Sequence, residues 1–149
     1  NWENLKAKER LEKIKNDNSI LADVAISLPA LSRAWKLSKR AARVGFDWPD
    51  ANEIFKKLDE EVKETKEAIE ENDIAHISEE IGDCLFVLAN LARKFDIDPE
   101  ASLRNTNVKF ERRFRAIEIA LEKQGKSPKE ASLEEMEKLW LDAKLSERV

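Results

Sequence analysis

The sequence predicts an all-α protein, and three observations support this. Only three glycines and four prolines occur in 149 residues, and nearly all of them fall at breaks between apolar-periodic segments. Within the segments, apolar residues recur every three or four positions, which is the spacing of one face of a helix. Charged residues make up 39% of the chain and are interleaved with these apolar positions. Such interleaving indicates amphipathic helices with charged outer faces that pack as a helical bundle.

Proline, glycine and capping residues mark where the helices begin and end. Pro29 and Asp98-Pro99 are typical of first turns, Ser132 is a helix cap, and Gly45 and Gly125 are typical C-terminal caps. The connector over residues 17–28 contains no glycine and is expected to dock on the rest of the chain. The expected helices cover residues 3–16, 29–45, 50–72, 73–95, 98–124 and 132–145.

Length and composition bound the class of protein. The chain is expected to form one domain, 1–149, with an N-terminal helix and connector (1–27) and a core (28–149). A net charge of -4 argues against nucleic acid as a partner. A single cysteine, Cys84, excludes an internal disulfide and suits a reducing cytoplasm. No apolar run is long enough for a membrane span. The chain begins at Asn1 without methionine, so we expect a fragment of a longer protein.

Two acidic pairs stand at helical spacing on the third and fourth expected helices. Glu61 and Glu64 are three residues apart, and so are Glu80 and Asp83. Each run alone is typical of a solvated helix face. However, each pair borders an apolar stripe, so packing of the two helices would bring four carboxylates together. Four close negative charges repel strongly unless a cation joins them. Oxygen-only ligands predict Mg²⁺, with Mn²⁺ as the alternative.

The apolar stripes predict which faces of these two helices are buried. On the third helix the stripe contains Ile54, Leu58, Val62, Thr65 and Ile69. On the fourth helix it contains Ile74, Ile77, Ile81, Leu85, Leu88, Leu91, Ala92 and Phe95. Gly82, Phe86 and Ala89 make the fourth helix apolar on further sides, which predicts a second subunit packed against it. Gly82 also predicts a close approach of a helix or a ligand.

Basic residues accompany the acids. Lys57 stands one turn before Glu61, and Lys109 and Arg113 are one turn apart on the fifth helix. A metal between carboxylates, with Lys and Arg around it, is suited to bind a polyphosphate. The basic run on the fifth helix is equally typical of an exposed face that alternates with core phenylalanines. His76, the sole histidine, is interpreted as a surface or substrate-contacting side chain rather than a metal ligand.

Five motifs together resemble the MazG family of nucleoside triphosphate pyrophosphohydrolases, within the all-α NTP pyrophosphatase superfamily. The resemblance runs from about residue 28 to residue 140 and is closest to the C-terminal domain of the two-domain bacterial form. One departure is His76, which stands where close relatives have a lysine. The motifs are Val44-Gly45-Phe46-Asp47-Trp48, Glu60-Glu61-x-x-Glu64, Glu79-Glu80-x-Gly82-Asp83, Asn90-Leu91-Ala92-Arg93 and Asn107-x-Lys109-Phe110-x-Arg112-Arg113-Phe114.

The resemblance implies hydrolysis of NTPs or dNTPs, over a broad range of bases, to the monophosphate and pyrophosphate. It also implies a homodimer. A carboxylate, Glu61 or Glu64, is expected to orient and deprotonate the attacking water. The implied Mg²⁺ ligands are Glu61, Glu64, Glu80 and Asp83, with Glu60 and Glu79 as neighbouring acids of the same motifs. The implied triphosphate contacts are Lys57, Lys109 and Arg113, with Trp140 near the nucleotide.

Three other functions are consistent with the same residues. A specialised house-cleaning pyrophosphatase for one dNTP, such as dCTP or dUTP, shares this chemistry with a narrower base pocket. The phosphoribosyl-ATP hydrolase of histidine synthesis shares it as well. A non-catalytic helical interaction module would have the fold without the reaction. Pyrophosphate release from a panel of NTPs, with and without Mg²⁺, distinguishes catalysis from a module and a general enzyme from a specialist.

Overall fold

The computed structural model describes residues 1–148, with the side chain of Ile14 outside the description. Within this range the chain forms six α-helices and one 3₁₀ turn, and no strand, so the prediction of an all-α protein is confirmed. The helices are α1 (Trp2–Asn16), α2 (Ala30–Ala42), α3 (Ala51–Glu70), α4 (Ile74–Lys94), α5 (Pro99–Lys123) and α6 (Leu133–Ser146), and the 3₁₀ turn is Pro128–Glu130.

Short-range chemistry sets the helix ends. The Asp50 side chain accepts a hydrogen bond from the Glu53 N–H at 3.0 Å, and Asp73 accepts one from the His76 N–H at 3.2 Å. These caps satisfy backbone donors that the first turn of a helix leaves free. Gly45 and Gly125 follow α2 and α5 with φ of 88° and 72°, values that favour glycine.

The chain divides into two compact units, Asn1–Glu100 and a second that begins at Ala101. In the first unit, α4 packs against both α3 and α2. In α3 and α4, the buried apolar side chains are Ile54 and Ala68 of α3 and Val87 and Ala89 of α4. Asn90 is buried among them and accepts from Arg93 Nε at 3.2 Å. The core of this unit therefore runs along α4.

The turn between α2 and α3 is tied to the end of α4. Arg93 and Lys94 both donate to the Asp47 carboxylate, and the Lys94 bond is 2.8 Å long. The side chains of all three residues are largely removed from solvent, with exposed fractions between 11% and 22%. This contact holds the turn that precedes α3 against the end of α4.

The face of α3 and α4 that is buried differs from the predicted one. On α3, Ile54 is buried as predicted, but Val62 and Ile69 are exposed, whereas Glu61 and Ala68 are buried. On α4 the predicted apolar face is also largely exposed, and the buried stripe is the neighbouring one. Its members are Glu80, Val87 and Asn90, and Ala89 is buried on another side of the helix. The helices pack through the stripes that carry the acids, so the most apolar stripes remain uncovered in the single chain.

The second unit contains most of α5 and all of α6. Ile117 and Leu121 of α5 are buried, whereas Phe110 is 58% exposed. Phe110 stacks on Phe114 with ring centroids 6.1 Å apart, and it also contacts Trp140 of α6 at 5.5 Å. An aromatic cluster therefore joins α5 to α6 in this unit.

Over residues 1–148, none of the helices has the length and the apolar character that a membrane crossing requires.

Candidate functional site

The α3–α4 hairpin brings the acidic residues together. A short turn, residues 71–73, joins the two helices, and within it Asn72 adopts a positive φ of 54°. Asparagine tolerates this left-handed conformation better than most residues. Asp73 then caps α4. The chain therefore reverses in three residues, and α3 and α4 pack side by side with their acidic residues on the facing stripes.

Three carboxylates form a close group on these facing stripes. Glu61 and Glu64 of α3 and Glu80 of α4 each place one carboxylate oxygen within 4.8 Å of the others. Glu61 and Glu80 are buried, with 5% and 6% exposure, and Glu64 is exposed. Buried acids are rare unless they are paired or bind a cation, because removal of a charge from water is costly. We call these three residues the carboxylate group.

Each buried member of the carboxylate group has one oxygen bonded and one oxygen free. Lys57 Nζ lies 2.9 Å from Glu61 Oε1, and His76 Nε2 lies 3.2 Å from Glu80 Oε1. Both Oε2 atoms are buried and have no hydrogen-bond partner within residues 1–148. A native structure seldom leaves such atoms without a partner. Two unpartnered carboxyl oxygens in a group of three acids can hold a divalent cation, so the residues present fit a metal site.

Burial of Glu80 and the Lys57 contact of Glu61 separate the pKa values of the two buried acids. Burial, together with the nearby Glu61 and Glu64, raises the pKa of Glu80 to about 7. The hydrogen bond from Lys57 holds the pKa of Glu61 below its ordinary value. Without a cation, therefore, Glu61 carries the charge and Glu80 retains a proton up to neutral pH. A metal would remove this asymmetry, because it favours the ionised form of both carboxylates.

The fourth predicted ligand, Asp83, lies outside the carboxylate group. It follows Glu80 by one turn of α4, and its side chain is exposed. The neighbouring acids differ as well: Glu60 lies 3.4 Å from Lys57 Nζ, and Glu79 is exposed. The structure thus brings together three of the four predicted ligands, and the role of Asp83 stays a prediction.

The predicted substrate-binding residues Lys109, Arg113 and Trp140 all belong to the second unit. Arg113 lies over the Trp140 ring, 5.3 Å from its centroid, where the positive charge faces the π electrons. Lys109 is half-buried. Glu147 also engages Arg113, at 3.1 Å, and bonds Arg112 at 2.8 Å. The hydrogen bonds from Arg112 and, to a smaller extent, Arg113 lower the pKa of Glu147 to about 2.

Two further contacts were not predicted from the sequence. His76 contacts a member of the carboxylate group, and its position four residues before Glu80 was a signal for this. Glu147 pairs with Arg112 and Arg113 across 35 and 34 residues. Only tertiary structure brings these residues together, so no local pattern could have indicated the pairing.

The segment that contains α3, α4 and the carboxylate group also matches a known protein family. Residues 50–117 match the family described as the MazG nucleotide pyrophosphohydrolase domain, and this stretch contains the whole carboxylate group. Named relatives include the nucleoside triphosphate pyrophosphohydrolase/pyrophosphatase MazG of Thermotoga maritima, 39% identical over 143 residues. They also include the nucleoside triphosphate pyrophosphohydrolase of Escherichia coli K12, 41% identical over 150 residues.

The chain spans just over half the length of these two relatives. The alignments cover 96% and 98% of the chain but 54% and 56% of the relatives. An uncharacterised Bacillus subtilis protein, YabN, is 46% identical over 149 residues, which are 99% of the chain and 30% of that protein. The similarity thus extends over nearly the whole chain, including α1 and α6.

Proposed function

Because the chain belongs to the MazG nucleotide pyrophosphohydrolase domain family, we propose that it hydrolyses nucleoside triphosphates to the monophosphate and pyrophosphate. The observation that carries the proposal is the carboxylate group, with two buried Oε2 atoms that have no partner in the described part of the chain. The names of the Thermotoga and Escherichia relatives support the same reaction. Water attacks the α phosphorus, the bond to the α–β bridging oxygen breaks, and pyrophosphate leaves.

We further propose that the carboxylate group holds Mg²⁺, with Mn²⁺ as a substitute. All three donors are carboxylate oxygens, which these hard cations prefer. When bound, the ion neutralises phosphate oxygens and lowers the pKa of water. Asp83 is proposed as a fourth ligand, because it lies one turn after Glu80 and its exposed carboxylate is free to rotate.

The contacts of Glu61 and Glu64 suggest different roles for them. Glu61 is held by Lys57, so it is suited to a fixed ligand position. Glu64 is exposed, and no basic side chain within the described residues forms a salt bridge with it. A carboxylate that can turn is suited to orient the attacking water and accept its proton. We therefore favour Glu64 as the general base and Glu61 as a ligand.

The remaining site residues are proposed as substrate contacts. Lys57 places its ammonium beside Glu61, where it can also face a phosphate. Lys109, Arg113 and Trp140 are proposed from the family resemblance, and the Arg113–Trp140 contact supports a recognition role for this cluster. A guanidinium can bind two phosphate oxygens at once and stabilise charge on the leaving pyrophosphate. We propose a broad base range.

The decisive experiment is a panel of NTPs and dNTPs, with pyrophosphate release measured with and without Mg²⁺. We expect release from several bases, only with Mg²⁺. Release from a single base would instead identify a specialised house-cleaning enzyme. If no nucleotide is hydrolysed and none binds in the presence of Mg²⁺, the chain is a non-catalytic module and the proposal is overturned.

Two variants test the carboxylate group within the same panel. Glu61→Gln is expected to abolish turnover while circular dichroism shows the wild-type helix content. Glu67→Gln is a matched control, because Glu67 lies on α3 and is exposed, outside the carboxylate group. Asp83→Asn examines the fourth ligand in the same way. Wild-type turnover in Glu61→Gln would remove this residue from the proposed site.

We also propose that the chain forms a homodimer through the uncovered apolar stripes of α3 and α4. Phe55, Val62 and Ile69 are spaced by seven residues on α3, and all three are at least 40% exposed. Ile81 and Leu88 repeat this spacing on α4 and are similarly exposed. Stripes with a seven-residue period suit packing against another helix.

A further inference from the structure

His76 lies between two carboxylates at the start of α4. Its Nε2 lies 3.2 Å from Oε1 of Glu80, one turn later on the same helix. Its Nδ1 lies 3.3 Å from Oε2 of Glu71, in the turn that ends α3. The His76 side chain is 35% exposed, whereas the Glu80 side chain is 8% exposed. The ring therefore stands at the edge of the carboxylate group and connects it to the α3–α4 turn.

Both ring nitrogens are occupied by these contacts. An ionised carboxylate can only accept hydrogen bonds, so each of the two contacts requires an N–H on the ring or a proton on the acid. In this arrangement the ring has no N–H left to donate to a substrate phosphate. The predicted role of His76 as a substrate contact thus does not fit its geometry, and neither does a free surface position.

A similar contact between a basic side chain and a buried acid occurs on α3. Lys57 stands four residues before Glu61, as His76 stands four residues before Glu80. In both cases the basic side chain contacts Oε1, and Oε2 remains buried without a partner in the described residues. Two helices therefore present their buried carboxylates in the same way. In each acid one oxygen is held by the basic side chain, and the other is left available to a ligand.

We propose that His76, anchored by Glu71, is a positioning residue that holds the Glu80 carboxylate with Oε2 directed toward the bound metal. The proposal rests on the proposed function, because it takes Glu80 as a metal ligand. Partners of ligand side chains typically change metal affinity by about 10–100-fold when they are removed. Without the His76 contact, the Glu80 carboxylate can rotate. Metal binding must then fix its orientation, which lowers the affinity.

The test is calorimetric titration of the full chain with Mn²⁺ in the absence of nucleotide. We expect His76→Ala to weaken Mn²⁺ binding by about 10-fold or more. His76→Gln should retain most of the affinity, because its amide N–H can reach a residue one turn later. Glu71→Ala, which removes the anchor without altering α4, should give a smaller loss. Ser78→Ala, an exposed position on the same helix, is the control and should bind as the wild type does.

Kinetics separates positioning from substrate contact. At saturating Mn²⁺, His76→Ala should retain the wild-type KM for nucleotide. If the variant binds Mn²⁺ like the wild type but has a raised nucleotide KM, His76 contacts the substrate and the proposal is overturned. Unchanged Mn²⁺ affinity and unchanged KM would overturn it as well. If the wild-type chain binds no Mn²⁺, the proposed metal site itself fails, and that result is distinct from both of the others.

Discussion

At Glu61 and Glu80 the structure departs from what favours folding alone. Each is buried in the α3–α4 contact, where an apolar side chain would pack without cost. Each leaves one buried oxygen without a partner in residues 1–148. Locally unfavourable arrangements of this kind are typical of functional sites, where stability is lower than the fold would allow. The carboxylate group therefore makes the metal-free chain sensitive to pH.

The raised pKa of Glu80 gives a prediction for the stability of the metal-free protein. Its pKa moves from 4.5 to about 7, so between these values the folded chain holds a proton that the unfolded chain has released. The free energy of unfolding therefore falls as pH rises from about 4.5 to about 7 and then levels off. Thermal unfolding in EDTA should show Glu80→Gln becoming progressively more stable than the wild type across this window.

His76 changes the free energy of unfolding with pH in the same direction, since the hydrogen bond to Glu71 raises its pKa. Its stabilising effect is present at low pH and is lost as pH rises through the raised value. Glu71 remains in Glu80→Gln, so the comparison of the two proteins largely cancels this contribution. A stability difference that does not change with pH would contradict the raised pKa of Glu80.

Gly82 gives a second prediction at the scale of a residue. Nothing lies within 4 Å of the position that a Cβ would occupy there, so the close approach expected from the sequence is absent within the described residues. Gly82→Ala should therefore raise the free energy of unfolding by about 1 kcal/mol, measured by urea denaturation. Gly125→Ala is the contrasting control and should lose stability, because φ is 72° at Gly125. A loss of stability in Gly82→Ala would mean that a ligand or a second subunit approaches this glycine in solution.

At the scale of the element, the sequence predicted the helices well because local chemistry determines where they begin and end. The third and fourth helices were predicted to start at Asp50 and Asp73, and these two residues are the N-caps of α3 and α4. Gly45 and Gly125 follow α2 and α5 with positive φ, as the sequence predicted. These signals act within a few residues, so one sequence is sufficient to locate them.

The buried face of each helix could not be predicted in the same way. Hydrophobicity favours Val62 and Ile69 as the inward residues of α3, yet the inward stripe is Ile54, Glu61 and Ala68. The small Ala68 allows α4 to approach, and the charge of Glu61 is held by Lys57. The Lys57 contact lies within α3 at i, i+4 spacing, but the approach of α4 depends on the partner helix, which a single stripe does not reveal. The position of the acids beside the apolar stripe was nevertheless the correct signal for the carboxylate group.

The cap at Asp73 gives a prediction about the hairpin that carries the carboxylate group. Asp73→Ala removes the hydrogen bond to the His76 N–H and should lower the free energy of unfolding by about 1 kcal/mol. Asp59→Ala is the matched control, since Asp59 is exposed in the interior of α3. Urea denaturation followed by circular dichroism measures both. Equal stability of the two variants would contradict a capping role for Asp73.

At the scale of the whole molecule, α3 and α4 expose apolar side chains that the packing of a single chain does not explain. Phe55, Val62 and Ile69 of α3 are exposed, as are Leu85 and Leu88 of α4. Contiguous apolar surface on a monomer usually marks an interaction site. The sequence indicated this through the largely apolar α4, but it did not reveal that the buried stripe would be the acidic one. The proposed homodimer covers the stripes that the α3–α4 contact leaves exposed.

The homodimer predicts that a charge on α4 separates the subunits. Leu88→Glu places a carboxylate on the uncovered stripe, eight residues from Glu80, and should convert a wild-type dimer into a monomer with unchanged helix content. Sedimentation equilibrium measures the mass of both proteins. Ile26→Glu is the control, because Ile26 is 87% exposed in the connector and lies outside α3 and α4. A monomeric wild type, or a Leu88→Glu variant that remains dimeric, would contradict an interface on these stripes.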